Sequence, residues 1–98
     1  MPVEKAILVT IIAESGLVQN LKDLAKRAGA TGYTIEDVVA GFGSHGSRTG
    51  NLEGDQTSKI LLVVSQAIAH KIFEEIEQTL EPYYAITVFR HEIEVIKP

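Results

Sequence analysis

Two segments of the chain are apolar at consecutive positions rather than at alternate ones. Ala6–Ala13 is an almost unbroken run of aliphatic side chains, many of them β-branched, and Lys59–Val64 repeats this pattern. Runs of this kind predict strands that are buried on both faces. Two further segments with weaker patterns, Tyr33–Ala40 and Tyr84–Ile96, also predict strands. We therefore expect four strands in all.

Two segments with apolar side chains at helical spacing separate these strands. The first predicted helix spans residues 15–28, with Ser15 as its N-cap and Gly29 as the residue that ends it. The second follows Ser65, another candidate N-cap, and ends before Pro82. The apolar stripe of the first helix is Leu17, Val18, Leu21, Leu24, Ala25 and Ala28, and that of the second is Ala69, Ile72, Phe73, Ile76 and Leu80.

The resulting order of elements is βαββαβ, which predicts a ferredoxin-like α+β fold. In this fold two helices cover one face of a four-stranded antiparallel sheet. Right-handed crossovers place the first and third strands in the middle of the sheet. A chain of 98 residues is enough for one domain, so we expect a single domain over residues 1–98.

The sheet face without helices presents a problem, because the two central strands are apolar on both faces. The last strand alternates, with one face made of Phe89, Ile93 and Val95 and the other of Arg90, Glu92 and Glu94. We assign Tyr84, Ile86 and Val88 to the uncovered face, where they enlarge the apolar area. Soluble proteins seldom leave such a patch in water. The pattern therefore predicts a homo-oligomer with closed symmetry that packs these faces together.

Composition and charge exclude several classes of function. Nine basic against thirteen acidic residues give a net charge of −4, which argues against a nucleic-acid-binding surface. The chain has no cysteine, and its three histidines lack metal-ligand spacing, so we expect neither thiol chemistry nor a dedicated metal site. No apolar run reaches the roughly 18 residues of a membrane span. We therefore expect a cytoplasmic protein.

Residues 41–58 form the segment with the most distinctive composition. They contain five of the eight glycines and show neither helical nor strand periodicity, so we predict an 18-residue structureless connection. Such a long loop is either functional or a mobile surface hairpin. Glycine backbones let N–H groups converge on an anion, and Ser44, Ser47 and Arg48 add further donors. Anion binding by this loop is thus one of two open interpretations.

Two spaced motifs give the chain a family resemblance. Gly29–Thr34 is followed seven residues later by Gly41–Gly43, and together they resemble the G-x-T-G-x-T…G-F-G signature of the PII signal-transduction family. The pattern G-x-G-S-x-x-x-R at 41–48, with Tyr83–Ile86 and Glu94–Val95, is similar to one branch of that family. This branch is the small PII-like proteins associated with bicarbonate transport and carboxysomes.

The resemblance implies a homotrimeric regulatory protein, not an enzyme, with adenine-nucleotide sites in the clefts between subunits. Segment 41–58 would be the family's T-loop, which signals energy or inorganic-carbon status to a partner such as a bicarbonate transporter or carboxysome-associated protein. By position, Thr31 would hold the nucleoside, and Gly41, Phe42, Gly43 and Ser44 would approach ribose and phosphate. His45 and Gly46 would lie near the ligand, Arg48 would meet phosphate, Leu62 and Val63 would contact the adenine edge through their backbone, and Arg90 would reach a neighbour's site.

The chain also departs from the family pattern. Leu80–Tyr84 replaces the glycine-rich B-loop and its phosphate-binding lysine, which favours AMP or ADP over ATP, with cyclic AMP as a further candidate. Residues 41–58 contain no tyrosine, so the family's uridylylation switch is not expected. Ser44 and His45 displace the glutamine that follows the G-F-G motif, which favours bicarbonate over oxoglutarate with magnesium.

Two other functions remain open from the sequence. One is a small ferredoxin-like enzyme with slow nucleotide phosphohydrolase activity at the loop. The other is a structural or metal-tolerance trimer like the CutA group, against which the lack of cysteine and of clustered histidine argues.

Overall fold

The computed structural model describes residues 1–38, 40–43, 46–49 and 56–97. A short 3-10 helix, Ser15–Leu17, precedes the first α-helix. The other elements in chain order are β1 (Val3–Glu14), α1 (Val18–Ala28), β2 (Thr34–Val38), β3 (Ala40–Gly43), β4 (Gly46–Thr49), β5 (Thr57–Val64), α2 (Gln66–Thr79) and β6 (Thr87–Ile96).

Four of the strands form one antiparallel sheet in the order β2-β5-β1-β6. The two segments that are apolar at consecutive positions, β1 and β5, are the central strands. The order of elements and the sheet confirm the predicted ferredoxin-like fold. The helices cover only one face of these two strands, and Val63 on the other face of β5 is 51% exposed in the single chain.

The core lies between the sheet and the two helices. Val9 and Ile11 of β1 and Ile60 and Leu62 of β5 are at most 2% exposed and belong to the same cluster as the helix stripes. Full burial of one such side chain stabilises the fold by about 1.5–3 kcal/mol. The helix residues buried with them are Leu17, Leu21, Leu24, Ala25, Ala69, Ile72, Ile76 and Leu80, as the apolar spacing predicted.

The alternation predicted for β6 is correct, but the assignment of its two faces was wrong. Ile86 is buried in the core and Val88 packs against it, so both lie on the helix-covered face. Phe89, beside Thr10 of β1, lies on the other face. Arg90 lies on the helix-covered face too. It pairs with the buried Val9 of β1, and its guanidinium carbon lies 4.7 Å from the centre of the Phe73 ring of α2. This cation–π contact lets a charged side chain lie at the edge of the helical layer.

Segment 41–58 is not structureless, contrary to the prediction. β3 and β4 pair as a separate two-stranded antiparallel sheet, with Gly41 opposite Arg48 and Gly43 opposite Gly46. β5 also begins earlier than expected, at Thr57. Each hairpin strand has only four residues and includes glycine, which has low strand propensity. The pairing therefore left no periodic signal in the sequence.

Ser15 does not cap the first helix, which is a second correction. The 3-10 turn moves the start of α1 to Val18, and the side chain of Ser15 instead hydrogen-bonds the hydroxyl of Ser58 on β5, with an Oγ–Oγ distance of 2.7 Å. The backbone N–H of Ser15 donates to the carbonyl of Gln56 at 2.8 Å. These two bonds fasten the start of β5 to the turn after β1.

Candidate functional site

The end of α1 is built around Gly29, as its position in the sequence predicted. Gly29 has a φ of +109°, and its N–H donates to the carbonyl of Lys26 at 3.1 Å. The N–H of Ala30 donates to the carbonyl of Ala25 at 3.0 Å. This pair of bonds is the Schellman arrangement that closes a helix and redirects the chain. It sends the following residue, Thr31, away from the helix axis.

The end of β5 lies beside this turn. Ser65 caps α2 as predicted, with its Oγ accepting a hydrogen bond from the N–H of Ile68 at 3.2 Å. A side chain at Gly29 would meet the Cδ1 atom of Ile68 at 3.3 Å, so the two turns approach closely. Val63 is 51% exposed, whereas its neighbour Leu62 is buried on the opposite face. The turn after α1 and the turn before α2 therefore share one corner of the fold.

A cleft of about 290 Å³ opens at this corner, and we call it the strand-end cleft. It brings together Thr31 and Val63, two of the residues chosen from the sequence. Thr31 and Ser65 line it together with aliphatic residues, and Glu4 and Lys5 line it from β1. The cleft is lined by Glu4, Lys5, Ala6, Gly29, Ala30, Thr31, Val63, Val64, Ser65, Ile68 and Val95.

β5 loses one of its two strand partners next to this cleft, which Val63 and Val64 line. β2 pairs with β5 only as far as Leu61, which lies opposite Thr34. Beyond that point, the side of Leu62–Val64 that faces away from β1 has no strand partner among the described residues. Thr31 likewise forms no hydrogen bond with any described residue. The strand-end cleft thus offers backbone and hydroxyl groups to a planar ligand with donors and acceptors on its edge.

Arg90 lies outside the strand-end cleft of its own chain. It is exposed on the edge strand β6, where its guanidinium contacts Phe73. β1 separates β6 from β5, with Val9 opposite both Arg90 and Leu62. Within one chain, the structure therefore does not bring Arg90 together with Thr31 and Val63.

The remaining site residues chosen from the sequence belong to segment 41–58. Gly41, Phe42 and Gly43 lie on β3, and Gly46 and Arg48 lie on β4. The register places Arg48 directly opposite Gly41. Ser44 and His45 lie outside the described residues.

A second cleft, of about 300 Å³, was not predicted from the sequence. It lies between α1 and the chain that leads into β2, and we call it the helix-flank cleft. It shares Ala30 and Thr31 with the strand-end cleft. The sequence feature that could have indicated this cleft is the pair of lysines at positions 22 and 26, which lie one helical turn apart. The lining residues are Gln19, Lys22, Asp23, Ala25, Lys26, Ala30, Thr31, Gly32 and Tyr33.

Across residues 1–38, 40–43, 46–49 and 56–97, no group of three or more His, Asp or Glu side chains is placed to hold a metal ion. Within the same ranges, neither helix is long and apolar enough to span a membrane.

The chain is similar to a known protein family and to solved structures. The family model described as nitrogen regulatory protein P-II matches residues 6–98. A PII-like signalling protein from Thermus thermophilus is 31% identical, with a TM-score of 0.82, over 98% of this chain and 94% of that one. No curated protein sequence matches the chain.

A second similar structure was solved with ligands. CPII, a nitrogen regulatory PII-like protein from Thiomonas intermedia, is bound to ADP, AMP and bicarbonate. It is 30% identical to this chain, with a TM-score of 0.85, and the match covers 96% of this chain and 91% of CPII. The GlnK–ATP complex of B. subtilis is 21% identical with a TM-score of 0.67, and it shares the fold.

Proposed function

Because the chain belongs to the nitrogen regulatory protein P-II family, in its PII-like branch, we propose that it is a regulatory protein that binds AMP or ADP. Bicarbonate is the proposed second ligand. The proposed output is a change in segment 41–58 that reports energy or inorganic-carbon status to a partner, such as a bicarbonate transporter or a carboxysome-associated protein. The protein would exert its effect by binding rather than by catalysis.

The observation that carries this proposal is the match to CPII, whose structure contains ADP, AMP and bicarbonate. The strand-end cleft adds support from this chain's own residues. Thr31 and Val63 line it together, and the β5 backbone beyond Leu61 is open on one side. An adenine ring presents alternating donors and acceptors along its edge, which suits an open strand backbone.

A homotrimer would complete the site. Val63 and Phe89, on the sheet face opposite the helices, are 51% and 44% exposed in a single chain. Packing these faces around a closed axis would bury them. It would also bring residues of a neighbouring chain to the strand-end cleft, where Arg90 is our candidate for a charge from the adjacent subunit.

Each proposed ligand contact has a physical role. Leu62 and Val63 would hold the adenine edge through their backbone, and the hydroxyl of Thr31 would bind the nucleoside. The glycines of β3 and β4 would let backbone N–H groups approach ribose and phosphate, because no side chain stands in the way. Arg48 would bind phosphate through two parallel N–H groups. Ser44, His45 and Gly46 would complete this phosphate side.

Isothermal titration calorimetry with AMP, ADP and ATP tests the ligand. We expect AMP and ADP to bind, and the γ-phosphate of ATP to add less than about tenfold in affinity. Leu80–Tyr84 supplies neither glycine nor lysine for a third phosphate, and each missing charge-assisted hydrogen bond is worth roughly 1.5–3 kcal/mol. Binding of ATP a hundredfold more tightly than ADP would contradict the proposal, as would the absence of binding by all three nucleotides.

Nucleotide affinities of single-substitution variants test where AMP or ADP binds. Arg48→Ala is expected to weaken AMP or ADP binding about tenfold, and Thr31→Val about fivefold, because each loses a hydrogen-bond donor to the ligand. Thr79→Val is the control for the hydroxyl, since Thr79 bonds the Glu75 carbonyl at the far end of α2. Arg27→Ala is the control for the charge. Equal affinities in variants and controls would place the nucleotide elsewhere.

A further inference from the structure

The helix-flank cleft has more positive than negative side chains, although the protein as a whole carries a net charge of −4. Lys22 and Lys26 lie one turn apart on α1 and line the same wall. Asp23 is the one acidic residue among the side chains that line this cleft. The cleft therefore concentrates positive charge on an otherwise acidic molecule, which is the electrostatic signature of an anion site.

Asp23 offsets one of the two lysine charges that line this cleft, which leaves an excess of one positive charge. Gln19 donates from Nε2 to Oδ1 of Asp23 at 3.0 Å, so this carboxylate already has a hydrogen-bond partner. The ammonium of Lys22 lies 5.1 Å from the centre of the Tyr33 ring. A cation–π contact orients a lysine without removing its charge. Neither Lys22 nor Lys26 forms an ion pair with a described residue.

The floor of the cleft adds uncharged donors. Thr31 and Gly32 make no hydrogen bonds with the described residues, so the hydroxyl of Thr31 and two backbone N–H groups are available. Tyr33 is 50% exposed. Lys22, Lys26, Thr31 and Gly32 thus line a space of about 300 Å³, which exceeds the size of a phosphate or carboxylate group.

We propose that the helix-flank cleft is an oxyanion-binding site, adjacent to the proposed nucleotide site and sharing Thr31 with it, that takes a phosphate or carboxylate group. Lys22 and Lys26 supply the charge, which must outweigh the negative end of the α1 dipole at this position. Thr31 and Gly32 supply short directional hydrogen bonds. The lysines of α1 do not line the strand-end cleft, so variants at Lys22 and Lys26 test this site separately from nucleotide binding, whereas Thr31 is common to both clefts.

Amide chemical shifts in the nucleotide-free protein test this site with inorganic phosphate as the probe. Sodium chloride at matched ionic strength is the background. We expect saturable phosphate-dependent shifts for Lys22, Gly32 and Tyr33, and weaker binding as salt is raised, because surface charges are screened within about 10 Å at 0.1 M salt. Val64 and Ile68 line only the strand-end cleft and serve as reporters of phosphate binding there. Shifts confined to Val64 and Ile68, or no saturable shift, would overturn the proposal.

Charge-matched variants separate a local site from a general charge effect. Lys22→Gln is expected to weaken phosphate binding about fivefold, and Lys22→Arg to retain it, because arginine keeps the charge. Lys71→Gln is the control. It removes one positive charge from another surface cleft, where Glu74 and Glu75 balance the basic side chains. Equal weakening by Lys22→Gln and Lys71→Gln would overturn the proposal. Acetate in place of phosphate tests the carboxylate class, and weaker acetate binding would assign the site to phosphate.

Discussion

Gly29 shows how one residue positions the candidate site. Its φ of +109° is accessible to glycine and strained for other residues, and it makes the two hydrogen bonds that turn the chain from α1 toward Thr31 possible. Gly29 also lies against Ile68 of α2, so it sets how closely the two turns of the strand-end cleft approach. The same residue therefore ends a helix, packs two elements together and places a candidate site residue.

Gly29→Ala is expected to lower the free energy of unfolding by about 1–2 kcal/mol, because alanine is strained at this φ and its Cβ would press on Ile68. Urea denaturation at fixed protein concentration measures the loss. Gly16→Ala is the control, since Gly16 does not have a positive φ and a Cβ at this position would have no neighbouring atom within 4 Å. Its effect should stay within about 0.5 kcal/mol. Equal losses in both variants would contradict the role given to Gly29.

At the scale of elements, the two serines that precede helices behave differently. Ser65 caps α2 and so fixes the start of the helix whose first turn lines the strand-end cleft. Ser15 directly follows β1 as Ser65 follows β5, but a 3-10 turn lies between Ser15 and α1, and its hydroxyl bonds Ser58 instead. A hydroxyl at a strand-to-helix junction is therefore a candidate cap, and the backbone of the junction decides whether it acts as one.

Ser65→Ala is expected to lower the free energy of unfolding by about 1 kcal/mol, the usual cost of losing an N-cap. Circular dichroism during thermal unfolding, without nucleotide, measures the effect on the helix apart from any effect on the cleft. Ser65→Asp should restore most of the lost stability, because aspartate also caps helices well. If the alanine and aspartate variants were equally destabilised, the hydrogen bond to Ile68 would not be the cause.

At the scale of the whole molecule, the sheet has one face in the core and one face that retains exposed apolar side chains. β1 and β5 are apolar on both faces, and Val63 and Phe89 keep about half of their surface in water in the single chain. Burying apolar area contributes roughly 25 cal/mol per Å² in favour of an assembly, before the entropic cost of association is subtracted. The face opposite the helices is therefore the surface on which a trimer would form.

Phe89→Lys is expected to convert a trimer into monomers, since three buried ammonium groups near the symmetry axis would lack partners. Light scattering coupled to gel filtration measures the mass. Ile35→Lys is the control, because Ile35 is 37% exposed, close to the 44% of Phe89, but lies on the helix-covered face. A monomeric wild-type protein, or loss of the trimer in both variants, would rule out this assembly surface.

The sequence by itself determined the order of elements, the central strands, the buried faces of both helices, the helix end at Gly29 and the cap at Ser65. Each of these depends on side-chain spacing or on local backbone preference, which neighbouring residues encode. Thr31 and Val63 were also chosen from the sequence as candidate site residues, through a family resemblance. That resemblance named positions without showing how far apart they lie.

Only the tertiary structure decided which face of β6 meets the helices, because alternation fixes the two sets of side chains and not their direction. The Phe73 ring beside Arg90 settled it. Three other features could not be predicted from the sequence: the β3–β4 hairpin, the Ser15–Ser58 hydrogen bond and the helix-flank cleft. Each joins residues through backbone pairing or through contacts between elements, and such contacts depend on how the elements pack rather than on the periodicity of any one of them.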